Sequence, residues 1–138
     1  ATITATSDFD PAISGSATID VHGPVTIQHY LPVDVEADTG DLNLDLGTTG
    51  GLAPYTYTFT ITPPAGWPAS YPDVPYDDLS EVGVLRLPPA GVYVDGGVLR
   101  GTGTAGEAGY YAFLVEVTDA LGQVDYSLIE LDVLLPPP

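Results

Sequence analysis

The sequence has no cysteine, no lysine and no methionine, and only two basic residues, Arg86 and Arg100, among its 138. Without cysteine no disulfide, thiolate nucleophile, iron–sulfur cluster or cysteine-ligated zinc can form, so stability must come from packing. Without lysine, the spontaneous Lys–Asn or Lys–Asp crosslink that staples some bacterial surface sandwiches is excluded. Against the two arginines stand 19 acidic residues, a formal charge of −17. Nucleic acid and anionic membranes need cationic groups to displace their counterions, which makes both poor partners. No apolar run approaches the roughly 18–20 residues of a membrane span, and the first residues lack the basic-then-apolar layout of a secretory signal. A start at Ala1 is expected either of initiator-methionine removal or of the mature remainder of something longer.

What is present is enough for one ordinary domain. Hydrophobic residues make up 44 % of the chain and the mean hydropathy is +0.18, so a core can form despite 16 glycines and 14 prolines. Period-two alternation dominates, with no helical stripe, which predicts an all-β chain. Val25, Ile27, His29, Leu31, Val33 and Val35 share one parity, a half-buried strand expected to break at Pro32. Leu42, Leu44 and Leu46 alternate with Asp41, Asn43 and Asp45, and Tyr55, Tyr57, Phe59 and Ile61 with Thr56, Thr58, Thr60 and Thr62. Tyr111 to Val117, a turn at Asp119 to Gly122, and Val124 to Val133 read as a hairpin. In the last strand the apolar parity changes between Leu128 and Ile129, as a β-bulge or burial on both faces requires, and the bulge is the expectation.

Residues 62–91 hold Pro63, Pro64, Pro68, Pro72, Pro75, Pro88 and Pro89, which exclude a central strand because proline has no ladder donor. Trp67, Tyr71 and Tyr76 predict that this long loop packs against something. The organisation expected is an N-terminal arm or additional strands over 1–30, a sandwich over 31–135 with a Pro/aromatic-rich insertion at about 62–88, and a proline tail at 136–138. No segment is repeated.

Four motifs stand in a set order: Gly50-Gly51-Leu52-Ala53-Pro54-Tyr55; Pro89-Ala90-Gly91; Gly97-Val98-Leu99-Arg100-Gly101-Thr102; and Gly109-Tyr110 running to Val117-Thr118-Asp119-Ala120-Leu121-Gly122. From about Leu31 to Leu134 this order resembles the He-PIG family of immunoglobulin-like modules, and the related cadherin-like modules, of bacterial and phage surface proteins. The resemblance implies an immunoglobulin-like antiparallel β-sandwich, with Gly50, Gly51, Pro54, Tyr55, Gly101, Thr102, Gly109, Tyr110, Asp119 and Gly122 as fold-motif positions. The stretch from Trp67 to Leu87 departs from the family pattern, and the N-terminal thirty residues lie outside it. Those two segments are where the chain's own function is to be sought.

Residues for catalysis are scarce. Only His22 and His29 could serve a nucleophilic triad, no Gly-x-Ser-x-Gly elbow exists, and among so many acids a carboxylate pair carries no information. No enzyme and no cofactor is expected. Clustered Asp, Glu and Asn suit an oxygen-liganded cation such as calcium, with Asp77, Asp78 and Glu81 as candidate ligands and Asp41, Asn43 and Asp45 as a second set. The cadherin calcium signatures are absent. For His29 the expectation is a strand residue satisfied by a backbone partner, and for Asp119 a turn-former capping towards Gly122.

Trp67, Tyr71 and Tyr76 are expected either to pin the loop over a sheet edge or an open end of the core, or to form a partner-binding surface, since aromatics give rigid contact area at low entropic cost. Asp73, Asp77 and Asp78 beside them could accept from a glycan. The function expected is a structural or interaction module on the exterior of an assembly, a phage virion in the first place and a prokaryotic cell-surface adhesin or filament in the second. Its partners would be protein subunits, including copies of itself joined through the N-terminal arm, and its place extracellular or on the virion surface.

Overall fold

The computed structural model describes residues 2–6, 14–18, 22–67, 71, 73–76 and 82–135. Among the described residues nine strands carry the architecture: β1 (Thr2–Thr6), β2 (Ser14–Thr18), β3 (Tyr30–Glu36), β4 (Leu42–Asp45), β5 (Thr56–Thr60), β6 (Val92–Asp95), β7 (Val98–Gly101), β8 (Gly109–Thr118) and β9 (Val124–Leu134). A 3-10 turn, Ala105–Glu107, precedes β8. The strands form a four-stranded sheet in the order β3-β9-β8-β5, a three-stranded sheet in the order β4-β7-β6, and a separate two-stranded sheet of β1 and β2. The chain passes between the two larger sheets after β3, β4, β5 and β7, the connectivity of an immunoglobulin-like β-sandwich. Among the described strands all pairings are antiparallel except β3 with β9, which is parallel.

The two larger sheets enclose the main core. Phe113, Val115 and Val117 of β8 and Ile129 and Leu131 of β9 meet Leu42, Leu46, Val92 and Leu99 from the other sheet, all buried. Each such side chain removed from water contributes about 1.5–3 kcal/mol. Tyr55, Tyr57 and Phe59 pack half-buried against this core while Thr56 and Thr58 face solvent. The expected alternation is realised as far as Phe59, whereas Ile61 lies past the end of β5 and is 45 % exposed.

Two expectations are corrected. The hairpin of β8 and β9 pairs one-to-one from Gly109 with Val133 to Thr118 with Val124, so no bulge separates Leu128 from Ile129. Both are fully buried because both faces of the four-stranded sheet are covered: Ile129 belongs to the main core and Leu128 to a second cluster outside it. Nor does Pro32 break its strand, since β3 lies at the sheet edge, where a missing N–H can face away from the ladder. The preceding stretch lies instead against the chain that leaves β4 of the other sheet, through an isolated bridge. Thr26 and Thr49 exchange backbone hydrogen bonds of 2.8 Å, and Gln28 N donates to Leu46 O at 2.9 Å. The chain crosses to the four-stranded sheet between Gln28 and Tyr30, and His29 stands at that corner.

Candidate functional site

The outer face of the four-stranded sheet is where the inserted loop has gone. Ala112, Leu114 and Leu128 point away from the main core and are covered by Trp67, Val74 and Val82, with Tyr30, Tyr71, Tyr76, Leu85 and Tyr126 around them. Trp67 is only 9 % exposed, whereas Tyr71 and Tyr76 are half-buried. Trp67 and Tyr71 lie 4.8 Å apart between ring centroids, and Tyr30 and Tyr76 meet edge-on at 5.9 Å. The loop rejoins the sheet where Arg86 N donates to Ala112 O at 2.7 Å, just beyond the end of β5. There the Arg86 guanidinium stacks 4.0 Å from the centre of the Tyr111 ring.

Glu130 is the polar centre of this face. On β9 it is paired with Pro32 of β3 and Ala112 of β8, whose short side chains leave room for diagonal neighbours to lean across. Tyr30 donates its hydroxyl to Glu130 Oε2, while Tyr76 and Tyr110 donate to Oε1 at 2.6 and 2.8 Å. Burial by itself would raise the Glu130 pKa, but the three phenol donors outweigh it and hold the carboxyl below its ordinary value. Burial and the charge of Glu130 together push Tyr30 and Tyr110 well above the ordinary phenol value.

His29 makes the second attachment. Its Nδ1 lies 2.8 Å from Asp73 Oδ1 in the loop and its Nε2 lies 2.8 Å from Asp125 Oδ2 on β9. Tyr71 sits edge-on at 4.6 Å from the imidazole. Only the imidazolium can donate to both carboxylates at once, because a neutral ring has one N–H. Burial opposes the charge, yet Asp73 and Asp125 overcome it and raise the His29 pKa; Asp73 is correspondingly lowered against its own burial. The backbone partner expected for His29 is replaced by these two carboxylates, 44 and 96 residues away in sequence.

Asp119 does more than form a turn. Its Oδ1 accepts from Leu121 N at 3.0 Å and Gln123 N at 2.8 Å, closing the β8–β9 turn, where Gly122 N also donates to Asp119 O at 3.1 Å. Its Oδ2 accepts from Leu52 N at 3.0 Å and Gln123 Nε2 at 2.9 Å, tying in the loop before β5. These donors outweigh burial and lower its pKa. Gly51 runs so close that a Cβ there would stand 2.5 Å from Asp119 Oδ2, and its φ of +62° is left-handed. At Gly101, with φ +108°, a Cβ would stand 1.9 Å from Gly91 O, so the Gly-Thr motif ending in Thr102 marks close approach of β7 to the chain entering β6. Pro54 follows a cis peptide bond, Tyr55 donates its hydroxyl to Gly50 O at 2.6 Å, and Gly109 opens β8.

The candidate calcium ligands Asp77, Asp78 and Glu81 lie outside the described residues. Among the described residues no group of three or more His, Asp or Glu side chains is placed to hold a metal ion. Asn43 and Asp45 are engaged otherwise, Asn43 Oδ1 accepting from Arg100 Nη1 at 3.5 Å and Asp45 Oδ1 from Gly47 N at 2.8 Å. Among the described residues no helix is long and apolar enough to cross a membrane.

A cleft of about 610 Å³ opens at one end of the sandwich, where the β6–β7 turn faces the start of β5. Tyr55, Tyr57, Pro54 and Val94 wall it, with Asp45, Asp95 and Thr48 among its polar lining. Motif reading marks Pro54 and Tyr55 only as fold positions and misses the cleft, because its residues come from three separate stretches of chain.

Comparison with known proteins adds little. No protein-family model matches the chain, and no curated protein matches it. Among solved structures, a chain from Bacteroides fragilis NCTC 9343 assigned as an alpha-galactosidase/melibiase superposes with a TM-score of 0.47 at 16 % identity, over 81 % of this chain and 18 % of that one. The chain therefore spans under a fifth of that protein.

Proposed function

We propose that this chain is a non-enzymatic interaction module on the exterior of a larger assembly, a decoration-type protein of a phage virion surface. The observation that carries this reading is the β1–β2 sheet, whose two strands pair with each other and, among the described residues, with no strand of the sandwich. A two-stranded hairpin is marginal in water by itself, and strand addition from a neighbouring subunit is the simplest way to stabilise it. The use made of the described polar groups agrees: Glu130, His29 and Asp119 are committed to holding loops against the sheets. The resemblance to He-PIG and cadherin-like surface modules adds the extracellular or virion setting. A second reading, an adhesion or filament module of a prokaryotic cell surface, is favoured by the half-exposed rings of Tyr71 and Tyr76 beside the exposed Asp73, a combination suited to a glycan or a neighbouring subunit.

Molar mass by light scattering, across protein concentrations and with calcium or chelator, tests the reading. A closed oligomer or growing polymer that becomes a folded monomer when residues 1–21 are removed is the expected result. The cut spares Gly23, whose O accepts from Gly51 N at 3.0 Å. A monomer at every concentration, or cooperative loss of folding on the deletion, counts against it.

A further inference from the structure

The cleft at the end of the sandwich has a definite chemical character. Asp45 and Asp95 both pair with Val98, from opposite sides of the central strand β7. Two inter-strand spacings separate them, about 10 Å, and directly paired residues share a sheet face. That face is the outward one, since Leu44, Leu99 and Val94 of the same strands turn to the core, and the two exposed acids line the cleft at its outer rim. The opposite wall is aromatic: Tyr55 and Tyr57 enter it from β5 and the stretch just before it. Tyr57 is fixed there, its hydroxyl 2.8 Å from Thr48 Oγ1, and a side chain at Gly97 would crowd it at 3.0 Å.

No basic residue lines this space, and neither arginine is free to fill it. Arg86 is stacked on Tyr111. Arg100 lies two residues along β7 from Val98 and donates to Asn43. The chain's charge of −17 adds a long-range field of the same sign as the two rim carboxylates. An anion is repelled here, whereas a cation gains carboxylate partners and the negative faces of two tyrosines. The volume is that of a ligand site rather than of a bare ion.

We propose that this cleft binds an organic cation: a guanidinium or ammonium group on a short hydrocarbon stem, with the charge at the Asp45–Asp95 rim and the stem against Tyr55 and Tyr57. The contact-module reading bears on this only for the source of the cation, which is either a basic side chain of a partner protein or a free amine.

The test is titration of the isotopically labelled full chain, followed by amide resonances, with blocked arginine amide and with its neutral isostere, blocked citrulline amide. Saturable shifts at Thr48, Tyr55, Gly96 and Gly97 with the arginine compound, weaker binding of the isostere, and further weakening in high salt are expected. Asp45→Asn and Asp95→Asn, which keep shape and the Asp45 turn acceptor, should each weaken binding about threefold to fivefold. Thermal melts establish that both variants are folded. Comparable affinity for the neutral isostere, binding indifferent to both substitutions, or unsaturating shifts spread over the acidic surface would overturn the proposal. Tighter binding of an arginine tripeptide than of spermidine identifies a partner side chain, and the reverse a free polyamine; either supports the site. The titration reads the cleft and light scattering reads assembly, so failure of one leaves the other standing.

Discussion

His29 Nδ1 and Asp73 Oδ1, 2.8 Å apart, join the corner of the sandwich before β3 to the inserted loop. With Asp125 on the other ring nitrogen, the contact is complete only when the imidazole is protonated. The folded pKa is raised above 6.5, so the stabilisation is fully present below that value and is lost as pH rises through the folded pKa. Loop protection, read by hydrogen exchange at the Val74 amide, should decline on going from mildly acidic to alkaline solution. His29→Gln should flatten that dependence. An unchanged slope in the variant would assign it elsewhere.

Glu130 makes the opposite contribution. Its lowered pKa stabilises the folded chain above the ordinary carboxylate value of 4.5 and ceases to do so as pH falls through the folded value. Glu130→Gln should cost about 1–3 kcal/mol, since hydrogen bonds to a charged acceptor become neutral ones. It should also return Tyr30 and Tyr110 towards the ordinary phenol range, visible as earlier tyrosinate absorbance in an alkaline titration. Phenol titration identical to that of the parent would show that Glu130 is not what raises them.

Trp67 is the largest side chain that the loop buries. Trp67→Ala should destabilise by about 3–5 kcal/mol, the range for aromatic truncation in packed surroundings, and expose Leu114 and Leu128 to a hydrophobic dye. Tyr71→Ala, at a half-buried position, should cost less. Binding loss with an unchanged melting temperature in the Trp67 variant would make the residue a contact residue instead of a support.

Ser127 is fully buried on β9 opposite Val115, and its Oγ has no hydrogen-bond partner among the described residues. Ser127→Ala removes a desolvated hydroxyl without losing a bond. Its effect on denaturant midpoint should lie between neutral and about 1 kcal/mol stabilising. A loss of more than that would reveal a partner for the hydroxyl.

Local pattern carried the long strands and little of the site. The strictly alternating residues of β5 and the apolar runs of β8 and β9 are legible because tertiary packing agrees with period two. β6 and β7, four residues each beside glycines, are too short for any period to register. Leu128 beside Ile129 looks like a defect because one-sided burial is the default for an antiparallel strand, and nothing local announces that a loop covers the second face. The aromatics of that loop tell that it packs, but not where. The partners of His29 come from stretches 44 and 96 residues away, and the cleft draws on stretches as distant as Asp45 and Gly97. Such juxtapositions exist only after folding.

The parallel run of β3 beside β9 has a mechanical consequence. β3 enters the ladder at Tyr30 opposite Leu128, and β9 leaves it at Leu134 opposite Glu36, so the chain enters at one end and departs at the other. Tension applied across the sandwich pulls these strands past each other lengthwise. The bonds of the ladder then share the load and yield together, whereas in a hairpin pulled from its open end they would break in succession.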